Sequence, residues 1–195
     1  MKKTIATLSA LFIIITAFAQ TQKGNILVGA DLAGIGINFQ EDNTRFSFNL
    51  NPKAGWFFKD NAVLGPDVNF GINTQKGATS VNYGLGLFAR KYFGEGATNL
   101  SRTTKWLLEA NAGFYGTNLS GDNVVNASTN GLGIGFGPGI AYFINQNIAL
   151  EALLKYNLTI GFGSSVTNNN IGIGLGFQIY LPNKQLKQLA NDPVK

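Results

Sequence analysis

Hydrophobic and polar residues alternate with a period of two along most of this chain. In 46–58, Phe46, Phe48, Leu50, Pro52, Ala54, Trp56 and Phe58 share one parity, and Ser47, Asn49, Asn51, Lys53, Gly55 and Phe57 the other. Period two predicts a β-strand whose faces meet different surroundings, because successive side chains leave the pleat in opposite directions. The segment 62–73 repeats it, with Leu64, Pro66, Val68, Phe70 and Ile72 opposed to Gly65, Asp67, Asn69, Gly71 and Asn73. Between them Lys59-Asp60-Asn61 has the composition of a tight hairpin turn. The pattern recurs in 81–93, 106–116, 131–144, 148–162 and 171–181, and in 131–144 the second face is almost wholly Gly.

An eighth segment, 26–39, changes parity part-way. Ile26, Val28, Ala30 and Leu32 lie on one side, and Ile35, Ile37 and Phe39 on the other. One inserted residue, a β-bulge near Ala33-Gly34, keeps a single apolar face. The pattern therefore predicts an all-β fold, an eight-stranded antiparallel up-and-down transmembrane β-barrel over 20–181.

A soluble barrel of the lipocalin kind also alternates, so the composition of each face decides the orientation. A water-facing skin is densely charged, whereas here the second face is Gly, Asn, Ser and a few charges. Small residues suit the crowded interior of a narrow barrel, which leaves the Ile/Leu/Phe/Val face for lipid. With the N-terminus in the periplasm, the turns on that side are 59–61, 94–105 and 145–147. The outer loops are then 40–44, 74–80, 117–130 and 163–170. Trp56, Phe58, Phe93, Trp106 and Tyr142, together with Phe57, Tyr92, Phe143 and Tyr180, collect at the periplasmic ends, as an aromatic girdle at one interface would.

Composition sharpens this picture. Only 25 of 195 residues are charged, and there is no His and no Cys. That removes imidazole bases, Ser-His-Asp and Cys-His nucleophiles, zinc fingers and disulfide scaffolds. Lys2 and Lys3, the apolar run 5–19 and Ala17-Phe18-Ala19 predict a secretory signal peptide, 1–19, cut after Ala19. Its loss lowers the formal charge from +5 to +3, and no basic cluster remains that would track phosphates, so no nucleic-acid partner is expected.

The motif Pro52-Lys53-Ala54-Gly55-Trp56-Phe57-Phe58-Lys59-Asp60-Asn61-Ala62-Val63-Leu64 is echoed by Pro138-Gly139-Ile140-Ala141-Tyr142-Phe143-Ile144-Asn145-Gln146-Asn147-Ile148-Ala149-Leu150. With Gly84-Leu85-Gly86-Leu87-Phe88-Ala89-Arg90-Lys91-Tyr92-Phe93, this hairpin resembles the small outer-membrane β-barrel family of Bacteroidetes-type Gram-negative bacteria, similar in architecture to the OmpA membrane domain and OmpX. The resemblance spans essentially the whole mature chain and implies Sec-type export to the outer membrane. It also implies contact with lipopolysaccharide and phospholipid, insertion by the barrel-assembly machinery, and a monomer. Two features depart from the pattern. Residues 182–195 form a polar tail after Tyr180-Leu181, expected in the periplasm, and Pro52, Pro66 and Pro138 fall within strands, where they are expected to mark bulges.

Seven charges take the inward parity: Asp31, Lys53, Asp67, Arg90, Glu109, Glu151 and Lys155. An eight-stranded bore is narrow enough to be filled by side chains, so these charges are expected to pair as a polar plug. The barrel enzymes suggested by the resemblance depend on a His that this chain lacks, and Glu109 with Glu151 makes only a weak acid–base pair. The Gly-x-Gly runs lack dinucleotide spacing, and no acidic cluster has calcium-loop spacing. No catalytic residue, cofactor or metal is therefore expected. The expected role is non-enzymatic, structural or surface-interacting; the alternatives are a narrow passive pore and a secreted soluble lipid-binding barrel.

Overall fold

The structure is a computed structural model that describes residues 21–40, 43–93, 103–122, 125–162 and 167–182; for 34–40 and 43 it describes the backbone. The predicted signal peptide, the tail beyond Pro182, the greater part of the turn 94–105, and Glu41 and Asp42 lie outside the described residues. Eight strands follow one another: β1 (Ile26–Gln40), β2 (Asn43–Lys59), β3 (Ala62–Gln75), β4 (Ala78–Phe93), β5 (Thr104–Ser120), β6 (Ala127–Phe143), β7 (Ile148–Gly161) and β8 (Asn168–Leu181). Each pairs antiparallel with its neighbours in sequence, and β8 pairs with β1 to close the barrel. Along Ile26–Leu32 and Leu175–Leu181 this seam pairs the two edge strands, as backbone placed in hydrocarbon requires.

The bulge expected at Ala33-Gly34 is present: the β1–β2 register shifts between Leu32 and Gly34, so that Leu32 pairs with Leu50 and Ile35 with Phe48. The bulges expected at the prolines are not. Leu50↔Phe70 and Lys53↔Asp67 hold one register across Pro52, Pro66 pairs with Leu87 in unbroken sequence, and Phe136↔Tyr156 and Gly139↔Leu153 hold one register across Pro138. Each proline points outward and loses a donor on one seam only, so no residue has to be inserted. The bulge in β2 falls instead between Phe57 and Lys59, beside the turn.

Gly65 and Gly137, each just before a proline, lie so close to the carbonyls of Ala54 and Leu154 on the adjacent strand that a Cβ would collide with backbone. Gly137→Ala should therefore lower stability by about 1–3 kcal/mol. Fluorescence-monitored urea unfolding in vesicles should show it, and an unchanged midpoint would refute the close approach.

At one end, the near end, Asp60 and Asn61 join β2 to β3, with Asn61 at φ 60, a left-handed conformation that Asn tolerates. At the opposite, loop end the strands run further than expected. Only Lys76 and Gly77 separate β3 from β4, with Gly77 at φ 75. Much of 74–80 and 117–130, expected as loop, is ladder. The alternation stops where both faces become polar, but hydrogen bonding between strands does not need it to continue.

Candidate functional site

The inward parity of five strands brings six of the seven predicted charges into one network. Arg90 on β4 sits opposite Glu109 on β5, and its Nε and Nη2 donate to Glu109 Oε2 at 2.9 and 2.6 Å. Its third nitrogen, Nη1, donates to Glu151 Oε2 at 2.7 Å and to the Tyr92 hydroxyl at 2.9 Å. Lys53 on β2 bridges Glu109 and Asp31, reaching Asp31 Oδ2 at 2.6 Å. Lys155 on β7 donates to Glu109 Oε1 at 2.9 Å. Glu109, 0 % exposed, thus receives three cations and is the hub. Charges taken this far from water persist only when paired and hydrogen-bonded on all sides.

Asp67 stands apart. It is buried, makes none of these ion pairs, and its Oδ1 has no hydrogen-bond partner. Lys53, its register partner across β2–β3, turns to Asp31 and Glu109 instead.

Three members of the network are absent from the sequence prediction. Gln178 donates to Asp31 Oδ1 at 2.8 Å, Tyr180 donates to Glu151 Oε1 at 2.8 Å, and the hydroxyls of Tyr92 and Tyr180 lie 2.8 Å apart. The parity that placed the charges also places these residues inward. Tyr92 and Tyr180, with Phe57 and Phe143, were expected in the girdle; all four are inside the barrel. Position at a strand end does not by itself say which face carries a ring. Trp56, Phe58, Phe93, Trp106 and Tyr142 do lie on the outer wall at that end, each about half exposed.

The buried rings form a floor beneath the ions. Phe143 packs on Tyr180 at 5.0 Å between centroids and Phe57 on Tyr92 at 6.0 Å, with Leu27, Val63 and Leu107 in the same cluster. Phe88 lies 5.2 Å from Lys53 Nζ, a cation–π contact that joins floor to network. The segment from Thr21 to Asn25 straps this end: Gly24 N donates to Phe57 O, Asn61 N to Thr21 O, and Lys105 Nζ to Thr21 Oγ1 at 2.7 Å. On the other side of the ions the bore widens into a polar vestibule of about 900 Å³.

Among the described residues, no three His, Cys, Asp or Glu side chains converge as metal ligands.

The sequence matches the outer membrane protein beta-barrel domain over residues 5–178. The chain belongs to this family. Among solved structures it is similar to Neisserial surface protein A, at 16% identity and a TM-score of 0.55, over 81% of this chain and 96% of that one. The N-terminal barrel domain of Pseudomonas aeruginosa OprF matches at 15% identity and a TM-score of 0.49, over 82% and 98%. Ail of Yersinia pestis matches at 11% identity and a TM-score of 0.48, over 82% and 99%. No curated protein matches.

As an outer-membrane barrel protein of the Gram-negative envelope, the chain turns its apolar wall to lipid. Leu85, Phe114, Ile134 and Ile173, all more than half exposed, lie on that wall. Inside this outer-membrane barrel the stacked order is floor, ions and vestibule, and the chemistry left available to a visitor lies in the vestibule.

Proposed function

We propose that this outer-membrane barrel is a closed-bore, non-enzymatic protein with a structural or surface-interaction role in the envelope. One observation carries the reading: Glu109, Arg90, Lys53 and Lys155 link β5, β4, β2 and β7 across the bore, next to the ring-packed floor. An ion crossing would have to break several charge-assisted bonds at once. The chain reaches the outer membrane by Sec-type export with cleavage after Ala19, is inserted by the barrel-assembly machinery, and sits as a monomer among lipopolysaccharide and phospholipid. The absence of His, together with acidic side chains engaged by the chain's own cations, supports a non-catalytic role.

Planar-bilayer recording tests this reading. The purified protein should give no steady unitary openings, while Glu109→Gln or Arg90→Gln should introduce leak. Steady openings in the parent protein, altered by either substitution, would replace the plug with a narrow pore.

A further inference from the structure

The vestibule carries chemistry that the plug does not use. Nine asparagines line it, among them Asn49, Asn69, Asn82, Asn111 and Asn157, with Thr159 and Tyr115. They come from strands around the barrel, each at the inward parity. Glycine makes the space: a Cβ on Gly135 would stand 2.5 Å from both Asn111 Oδ1 and Asn157 Oδ1, and one on Gly174 would meet nothing closer than 3.8 Å.

The two ions at the base are already engaged, Asp31 by Lys53 and Gln178, and Lys155 by Glu109. Among the described residues that line the vestibule, both charges are thus paired and neither is left to select an ionic ligand. What remains is a set of neutral amides and hydroxyls among apolar side chains such as Leu153 and Ile173, each amide presenting a donor beside an acceptor. Asn111 Oδ1 and Asn157 Oδ1 converge, packed over Gly135, and the buried Asn111 oxygen is left without a donor from the protein itself. The Tyr115 ring lies against Gly133 in the same chamber, with its hydroxyl accepting from Asn111 Nδ2 at 2.6 Å. A volume of about 900 Å³ is that of a small-molecule pocket.

We infer that the vestibule is a binding site for a neutral polyhydroxylated ligand, a mono- or disaccharide. Vicinal hydroxyls pair with the amides, and the ring's C–H face rests on Tyr115. This rests on the closed-bore reading, since the ion network is the floor on which the ligand sits.

Saturation-transfer difference NMR on the refolded protein tests it, with maltose and N-acetylglucosamine as probes. A phosphocholine detergent is needed, because a maltoside would bring a competing head group. Transfer to the sugar ring protons is expected. It should fall about fivefold or more in Gly174→Phe, which fills open space, and in the pair Asn111→Leu/Asn157→Leu, which removes the converging acceptors. Heat-modifiable migration identifies folded variants, and either folded variant suffices. The proposal is overturned by no transfer to either sugar at about 10 mM, above the range of millimolar binding. It is equally overturned by transfer that survives in the folded variants, or by stronger transfer to butyrate. A conducting bore with intact sugar binding would sink only the closed-bore reading; a silent bore with no transfer would sink only this one.

Discussion

Replacing Glu109 with Gln should cost about 3–5 kcal/mol of stability, the scale for breaking a buried ion pair from one side. The loss is large because Glu109 serves Arg90, Lys53 and Lys155 together. Lys53 keeps Asp31 and Arg90 keeps Glu151, but Lys155 keeps no ion-pair partner in the network. Removing Arg90 and Glu109 together, as Arg90→Leu/Glu109→Leu, takes away opposite charges from facing positions. That pair should lose less than the sum of its single changes, with a coupling of about 0.5–3 kcal/mol. Urea unfolding from lipid vesicles, followed by Trp fluorescence, measures the parent and each of these variants. A Glu109→Gln loss under about 1 kcal/mol, the scale of exposed pairs, would mean that water reaches the network and the plug is not dry.

The second large effect belongs to the outer wall. Leu85 lies midway along β4, is 63% exposed and pairs with Phe114, itself 66% exposed. Leu85→Arg places a cation near the middle of the lipid belt and should cost about 2–4 kcal/mol. The native chain supplies its own control. Lys91 lies on the same face of β4, six residues toward the near end and beside the exposed rings of Phe93 and Trp106. At about 3.3 Å per residue that is some 20 Å along a tilted strand, enough to move a charge from midplane to interface. Lys91→Leu should therefore shift stability by about 1 kcal/mol or less. Equal losses from the two substitutions would show that the wall does not face hydrocarbon at Leu85.

The sequence made the strands and their faces legible because lipid on one side and a crowded bore on the other impose opposite demands at every second residue. Even the bulge near Ala33 could be read, as a break in parity. Strand ends beyond the lipid were not legible, since Thr79, Ser80, Asn118 and Ser128 meet polar surroundings on both faces and leave no alternation to count. The six-charge network was legible as a set of inward residues but not as a wiring: nothing in the chain says that Lys53 turns from its register partner Asp67 toward Asp31 and Glu109. Tyr92 and Tyr180 could have been placed by parity, but their aromatic character suggested the membrane interface. The strap at Thr21–Asn25 lies outside the strands and carries no periodicity at all.

That strap has a practical consequence for anyone labelling the molecule. Asn25 N donates to Gln22 O and Lys23 N to Asp60, so the first described residues are stitched across the floor and Thr21 lies at the shut end. An epitope fused there would be offered to the compartment behind the floor and would pull on the stitches. The two-residue turn at Lys76-Gly77 lies at the opposite rim, where a displayed peptide would not touch the closure.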